Sequence, residues 1–173
     1  MKKSLTNTVM FACSEGGHFS QMMALKTLFG KYQSVFVTDN VRADKNLPGL
    51  EVVNEIYHVN GIAESRKKNA GIKHNDSRWT YLAGYFALFK QCRRVMKEVR
   101  PKVVVSTGSN VAVPLFFVGK LMGCKLIFIE TRAHVYSKSM TGKLVGGISD
   151  KIIVQWPEML KVYKKAEYYG TLV

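Results

Sequence analysis

The sequence has few of the features that assign a protein to a class at first sight. Its three cysteines are far apart, with no C-x-x-C pair, at Cys13, Cys92 and Cys124. This spacing predicts neither a disulfide framework nor a zinc site, and it is typical of a reducing compartment. No stretch offers the roughly 18 uninterrupted apolar residues that a membrane-spanning helix needs. The apolar run after Lys2 and Lys3 is too short for a secretory signal, so we expect no signal peptide.

Acidic residues are also scarce. The chain has 12 Asp and Glu against 26 Lys and Arg, which gives a formal net charge of +14 at pH 7. Most of the excess lies beyond residue 59, since residues 60–100 alone hold ten basic and three acidic side chains. Such a charge favours a polyanionic partner: a nucleic acid, an anionic membrane surface or a phosphorylated substrate. No nucleic-acid-binding motif is present, so we predict no nucleic-acid partner.

What the chain does have is a regular alternation of apolar runs and helical patterns. Hydrophobic residues make up 47% of its 173 residues, enough for a single domain, residues 1–173, with its own core. We predict strands at 8–13, 34–38, 55–59, 102–106, 125–130 and 151–155, and helices at 17–29, 78–99, 110–122, 139–147 and 157–165. Short β-branched strands between helices indicate an α/β fold, a doubly wound, Rossmann-like parallel sheet. Ligands of such folds bind where the strands end at their carboxyl side.

A glycine turn follows the first predicted strand and provides the first candidate site. Ser14, Gly16 and Gly17 precede the first helix, and His18 stands at its start. Glycine lets the backbone turn sharply and approach a ligand closely, and a helix start favours anions. Histidine can exchange a proton near pH 7. We therefore predict a phosphate-binding turn with His18 as a general base, against the alternative that His18 only bonds its own helix or a neighbouring loop.

Two further polar segments follow later strands. One contains Thr107, Gly108, Ser109 and Asn110, whose polar groups could bind a ligand or could simply cap the next helix. The other contains Glu130 and Arg132. Glu130 could orient His18 or could pair with Arg132 as a structural ion pair.

The predicted helix at 78–99 begins with about three turns that are apolar on every side and continues with cations. A buried helix of a soluble protein normally keeps one polar face, and aromatics beside cations are typical of a membrane interface. We therefore predict that this helix contacts a membrane surface, with a partner surface and an ordinary core helix as alternatives. The predicted contact residues are Trp79, Tyr81, Leu82, Tyr85, Phe86, Phe89, Arg93 and Arg94.

No metal site is predicted, because His58, His74 and His134 lack ligand spacing and a cluster of carboxylates. The last residues, 166–173, end on apolar side chains. Exposed termini are usually polar, so an apolar end favours docking against a partner chain, with a simple last strand as the alternative.

These motifs, taken in order, resemble a known family. Gly16-Gly17-His18, Ser106–Asn110, Ile129–Arg132, Lys138–Lys143 and Val154–Pro157 together look like the Alg14-like oligosaccharide and capsular-polysaccharide biosynthesis proteins. That family resembles the acceptor-binding half of MurG-type GT-B glycosyltransferases. The resemblance covers nearly the whole chain.

The resemblance implies a subunit of a two-chain glycosyltransferase of the hexosyltransferase type. In such a subunit Thr107–Asn110 would hold acceptor phosphate or sugar hydroxyls, and Glu130 could bind a sugar hydroxyl. Arg132, Lys138 and Lys143 could balance the acceptor phosphates, with a solvated charged face as the alternative. This subunit would present a polyprenyl-diphosphate-linked saccharide, while an Alg13-like partner, docked on the carboxyl-terminal residues, would hold the UDP-sugar donor; no tightly bound cofactor is expected. Because the sequence begins almost at its first strand, like the bacterial capsular members, we expect peripheral attachment to the cytoplasmic face of the plasma membrane through residues 78–100. Two other functions stay open: a stand-alone nucleotide-binding enzyme, for which Asp39 is the only support, and a non-catalytic basic membrane scaffold.

Overall fold

The computed structural model describes residues 7–61 and 78–172, with the side chains of residues 78–81 left aside. It contains a seven-stranded sheet in the order β3-β2-β1-β4-β5-β6-β7, and every neighbouring pair is parallel. The strands are β1 (Thr8–Cys13), β2 (Gln33–Thr38), β3 (Glu55–His58), β4 (Val103–Gly108), β5 (Lys125–Ile129), β6 (Lys151–Val154) and β7 (Ala166–Tyr168). The predicted doubly wound parallel sheet is confirmed.

Helices cover both faces of this sheet. They are α1 (Gly17–Met23), α2 (Lys26–Phe29), α3 (Arg78–Val99), α4 (Ala112–Leu121), α5 (Met140–Val145) and a 3₁₀ helix, Pro157–Lys161. Alternate residues of each strand point to opposite faces, so Phe11 packs under α1 and α2 while Met10 packs under α3, α4 and α5. The sheet is therefore buried on both sides, which explains its nearly continuous β-branched strands.

Two sequence-based boundaries differ from the structure. The predicted helix 17–29 is two short helices, because bonds from Leu25 N–H to Met22 O and from Leu28 N–H to Leu25 O tighten the backbone between them. The predicted helix 157–165 is shorter and of the 3₁₀ type, with Pro157 at its start. The residues after it add β7 to the edge of the sheet, so residues 166–168 do form a last strand, while docking of residues 166–173 against a partner stays a prediction.

The order of strands places the site. Strand β1 pairs with β2 on one side and with β4 on the other, so the chain changes direction across the sheet at β1. The turns that follow β1 and β4 therefore lie side by side where the strands end. We call this side of the sheet, where β1, β2, β4, β5 and β6 end, the carboxyl edge.

Candidate functional site

The glycine turn lies open at the carboxyl edge. Gly16 adopts φ 87° and ψ −142°, a conformation that only glycine reaches readily, and it directly precedes α1. A Cβ atom built on Gly16 or on Gly17 would meet nothing within 4 Å. Asp39 fixes the turn from the end of β2, where its Oδ1 accepts the Glu15 N–H at 2.8 Å. The backbone of the two glycines is thus accessible to a ligand rather than covered by side chains.

Ser14 lies at the base of this turn. It is buried, and among the described residues its hydroxyl has no hydrogen-bond partner. A buried hydroxyl without a protein partner is uncommon and costs free energy. Its position directly before the glycines is consistent with the predicted role in binding substrate.

His18 is held from β4 by two reciprocal hydrogen bonds. Its Nδ1 lies 2.8 Å from the Thr107 carbonyl oxygen, and the Thr107 hydroxyl donates to the His18 carbonyl at 2.8 Å. A carbonyl can only accept, so Nδ1 carries the proton and, in the neutral ring, Nε2 carries the lone pair. Nε2 makes no hydrogen bond to any residue in the described ranges. The half-buried ring is therefore fixed in the tautomer that a general base needs.

Gly108 makes room for this ring. A Cβ atom at residue 108 would lie 3.1 Å from both Cε1 and Nδ1 of His18, and the residue has φ 112°. Ser109 follows with φ 74°, an uncommon conformation for a residue with a side chain. The two left-handed residues end β4 sharply, so that the backbone passes behind the imidazole.

The predicted residues after β4 therefore have different positions. Thr107 is fully buried and bonds His18, which places it behind the histidine rather than against a substrate. Ser109 is half-buried and Asn110 is exposed at the carboxyl edge. Neither is the cap of α4, since the residue before that helix is Val111 and no side chain caps it. The simple helix-cap alternative is thus wrong for this segment.

Glu130 is placed differently from the prediction. It is 1% exposed, and its carboxylate accepts hydrogen bonds from Tyr163 Oη at 2.6 Å, from Thr131 N–H at 2.9 Å and from Ser139 N–H at 3.1 Å. None of these contacts reaches His18, so the suggested role of Glu130 in orienting the histidine is not what the structure shows. Both carboxylate oxygens instead hold the segment between β5 and α5. This geometry favours positioning of the loop over contact with a sugar.

The phenol that contacts Glu130 completes a tight buried cluster. Burial, and then the neighbouring carboxylate, raise the pKa of Tyr163 far above its ordinary value, so the phenol keeps its proton and donates it. Lys138 Nζ lies 4.6 Å from the centre of the Tyr163 ring. Gly142 closes the cluster, because a Cβ atom there would overlap the Tyr163 hydroxyl and a Glu130 oxygen.

Arg132 is exposed at the carboxyl edge, on the loop that Glu130 holds. Its backbone N–H donates to Gln21 Oε1 at 3.2 Å, and its carbonyl accepts the Trp156 Nε1–H at 2.8 Å. The structure thus brings Arg132 to the same edge as the glycine turn, since Gln21 belongs to α1. The sequence analysis did not name Gln21, and it used Trp156 only as part of the motif Val154–Pro157. A glutamine on a short helix and a tryptophan after a strand carry no signal of which loop they bond.

The helices α3, α4 and α5 form one layer on the sheet, in which α4 packs between the other two. Each presents a pair of exposed apolar side chains one helical turn apart: Leu82 and Phe86, Phe117 and Leu121, Met140 and Leu144. We call these three pairs the apolar helix face. The pairs on α4 and α5 were not expected from the sequence.

The predicted membrane residues of α3 divide between this face and the core. Leu82, Phe86, Arg93 and Arg94 are exposed, whereas Tyr85 and Phe89 are half-buried against the core. The side chains of Trp79 and Tyr81 lie outside the described residues. The same three helices carry further exposed cations, namely Lys90, Lys97, Lys120 and Lys143. Glu98 is the one acidic residue in the sequences of the three helices. Within the described ranges no helix is long and apolar enough to cross a bilayer.

The carboxyl-terminal segment is tied to the interior. Leu172 N–H donates to the buried Gln155 Oε1 at 2.9 Å, and Gln155 Nε2 bonds the Glu130 carbonyl at 2.9 Å and Gln21 Oε1. Tyr168 and Tyr169 are exposed beside it on the edge strand β7 and the residue after it. Across residues 7–61 and 78–172, no group of three or more His, Cys, Asp or Glu could hold a metal ion.

The fold indicates the structural class of the protein. The sheet and helices have the architecture of one half of a MurG-type GT-B glycosyltransferase. The crystal structure of Acinetobacter baumannii MurG matches with a TM-score of 0.70 at 16% identity, covering 96% of this chain and 46% of that one. The chain thus spans just under half the length of MurG, and at this identity the likeness concerns the fold.

The family follows from sequence comparison. The family described as "Oligosaccharide biosynthesis protein Alg14 like" matches residues 8–172. A Debaryomyces hansenii protein named "UDP-N-acetylglucosamine transferase subunit ALG14" is 40% identical over an alignment of 183 residues, which covers 96% of this chain and 77% of that protein. The Candida albicans protein of the same name is 39% identical over 84 residues, which cover 45% of this chain and 38% of that protein. The chain belongs to the Alg14-like family of oligosaccharide biosynthesis proteins.

Proposed function

We propose that this chain is the acceptor-binding subunit of a two-chain glycosyltransferase, which transfers a sugar from a UDP-sugar to a polyprenyl-diphosphate-linked saccharide in capsular or exopolysaccharide biosynthesis. The observation that carries the proposal is the anchored His18 beside an open glycine turn, in a chain of the Alg14-like family. The names of the relatives favour UDP-N-acetylglucosamine as the donor.

The proposed chemistry uses His18 as the general base. Its Nε2 accepts the proton of the acceptor hydroxyl while the hydroxyl oxygen attacks the anomeric carbon of the donor, and UDP leaves with the electrons of the broken glycosidic bond. The Thr107 carbonyl keeps Nδ1 protonated and stabilises the imidazolium that forms. A base placed in this way contributes about 10²–10⁴ in rate.

The acceptor diphosphate would lie on the glycine turn. Backbone at Gly16 and Gly17 is open to the outside, and the Ser14 hydroxyl below it has no partner in the described part of the chain. Arg132, on the loop that follows β5, supplies a cation at the carboxyl edge. Arginine suits this task because its planar guanidinium can bond two phosphate oxygens at once.

We propose that a second chain binds the donor. The relatives are named as transferase subunits, which supports a partner of the Alg13-like type that holds the UDP-sugar. The exposed tyrosines near the carboxyl end, Tyr168 and Tyr169, are the proposed contact with that partner.

The apolar helix face is the proposed membrane contact, at the cytoplasmic side of the plasma membrane. Six exposed apolar side chains among exposed cations match an anionic lipid surface, where burial of apolar area and attraction to lipid headgroups act together. Attachment would therefore involve α4 and α5 as well as α3, and the subunit would hold its site beside the lipid-linked acceptor.

The alternative of a stand-alone nucleotide-binding enzyme rests on Asp39 alone. An acidic residue after the second strand can bind a ribose hydroxyl in nucleotide-binding folds. Here Asp39 Oδ1 accepts the Glu15 N–H, which gives this carboxylate a structural role in holding the glycine turn.

The test is a transfer assay with the chain co-expressed with its candidate partner, radiolabelled UDP-sugars and membranes that contain the lipid acceptor. We expect transfer by the pair, with His18→Asn lowering kcat by about 10²–10⁴ because the base is lost. The matched control is His58→Asn, an exposed histidine at the end of β3, which should leave the rate unchanged. Absence of transfer by the wild-type pair would refute the proposed function, and an active His18→Asn pair would leave the non-catalytic scaffold as the better explanation.

A further inference from the structure

The backbone of the loop between β5 and α5 is fixed to an unusual degree at its exposed arginine. Both backbone polar groups of Arg132 bond side chains that lie more than 20 residues away in sequence, namely Gln21 at the N–H and Trp156 at the carbonyl. Exposed loop residues normally leave these groups to water. Here the peptide groups on either side of the Arg132 Cα are held from outside the loop, so the direction of its Cα–Cβ bond is set.

Gln21 has every hydrogen-bonding position of its amide occupied. Its Nε2 donates to the Gly17 carbonyl at 3.2 Å and to Thr131 Oγ1 at 3.3 Å, while its Oε1 accepts from Arg132 N–H and from Gln155 Nε2. A primary amide offers two donors and about two acceptor positions, so no capacity is left over. The side chain is 7% exposed, which makes each of these bonds costly to lose.

These bonds connect the two phosphate-binding elements of the proposed site. Gln21 bonds Gly17 in the glycine turn and Arg132 in the loop through one amide group of three heavy atoms, so it fixes their separation. Trp156 fixes the other side of the same arginine, and its ring packs at the border of the core. A site that must bind one diphosphate from two segments needs such a spacer, because small displacements of binding groups cost much affinity.

We infer that Gln21 and Trp156 are positioning residues, which hold Arg132 at the distance from the glycine turn that the acceptor diphosphate requires. The inference rests on the proposed function, since it assigns Arg132 and the turn to one substrate. Neither residue touches the substrate; each acts through the Arg132 backbone.

The experiment is a double-mutant cycle in the two-chain enzyme. Gln21→Met keeps the length of the side chain and removes its bonds, and Trp156→Phe keeps a ring in the core and removes the N–H. Loss of one bond to Arg132 should raise KM for the lipid acceptor about three- to tenfold. We expect kcat and KM for the UDP-sugar to change by less than about twofold, because neither residue contacts the reacting atoms.

The background variant Arg132→Ala separates positioning from a general structural effect. If both residues act through Arg132, neither substitution raises KM for the acceptor further once the arginine is absent. Additive effects, or a fall in kcat at unchanged KM, would overturn the inference. Gln91→Met is the matched control, since this half-buried glutamine bonds Asn60 N–H and the Ala87 carbonyl but neither the glycine turn nor Arg132, and should leave KM unchanged.

Two further outcomes are distinguishable. Trp156→Phe alone decides the question if Gln21→Met does not fold, which circular dichroism would reveal. A wild-type pair without transfer would refute the proposed function and the inference with it, whereas an active wild-type pair with additive variants would refute the inference alone.

Discussion

Substitution of Gly108 by alanine is the most direct perturbation of the proposed base. The new methyl group would lie 3.1 Å from Cε1 and Nδ1 of His18, while carbon atoms prefer separations of about 3.5–4.0 Å. The ring must therefore move outward by several tenths of an ångström, away from the Thr107 carbonyl. Its bond to that carbonyl is 2.8 Å long and would be stretched or broken.

The expected size of the effect has two parts. A non-glycine residue at φ 112° costs about 1–3 kcal/mol, which corresponds to a fall in Tm of about 2–9 °C for a domain of this size. Displacement of the His18 ring should lower kcat by about 10- to 100-fold. The imidazole would lose the bond to the Thr107 carbonyl that fixes its tautomer, and its Nε2 would no longer point at the attacking hydroxyl. KM for the acceptor should change little.

Gly123→Ala is the control for the backbone strain alone. Gly123 has φ 74° and a Cβ there would meet nothing within 4 Å, and it lies between α4 and β5 at the opposite edge of the sheet. Thermal unfolding gives the stability of both variants, and the transfer assay gives kcat. If Gly108→Ala lost only the stability that Gly123→Ala loses and kept the wild-type rate, the argument that Gly108 makes room for the ring of the proposed base would be refuted.

Three further predictions concern other parts of the molecule. Gly142→Ala should destabilise the fold by about 1–3 kcal/mol in denaturant unfolding, because its methyl group overlaps the buried phenol–carboxylate pair, whereas Gly147→Ala enters open space and should not. Burial raises the pKa of the Cys92 thiol to about 12 from its ordinary 9.0, so the native chain should react slowly with a thiol reagent at pH 8, and the free energy of unfolding should fall as the pH rises above about 9, where the unfolded chain alone loses the proton. Phe86→Glu should weaken sedimentation with anionic liposomes about tenfold or more, whereas Tyr32→Glu, exposed outside the apolar helix face, should have little effect.

Each of these has a result that would contradict it. Equal stability of the two glycine variants would mean that the buried cluster adapts to an added methyl group. Rapid labelling of Cys92 in the folded chain, or a Cys92→Ala variant with the same stability slope above pH 9, would show that the thiol is accessible or not linked to unfolding. Liposome binding unchanged by Phe86→Glu but abolished by high salt would limit the membrane contact to electrostatic attraction.

The sequence predicted the fold well because most elements had a local signal. Six of the seven strands were visible as short apolar runs, and the bounds of α3 matched the prediction at both ends. The strand β7 was not distinct, since the sequence of Ala166–Tyr168 has neither apolar continuity nor a turn signal. Its formation depends on pairing with β6, which is a tertiary effect.

The sequence predicted where the candidate site lies, but not which role each of its residues has. Strand ends indicated the turn at Ser14–His18 and the segments after β4 and β5, because parallel strands bring such turns to one edge. What sequence could not show is which partner each side chain takes. Thr107 bonds His18 across 89 residues, and Gln21 bonds Arg132 across 111. Glu130 looked like an accessible carboxylate and proved to be enclosed by three hydrogen-bond donors.

The pairing of β1 with β4 also determines when the site can exist during synthesis. His18 is made early, yet the carbonyl that sets its protonation and the glycine that gives its ring space belong to residues 107 and 108. A nascent chain that ends before residue 107 contains His18 but lacks the carbonyl that fixes its tautomer. The geometry of the proposed base thus arises when distant parts of the polypeptide pack together, and a chain truncated before β4 should hold an imidazole no better ordered than one in a free peptide.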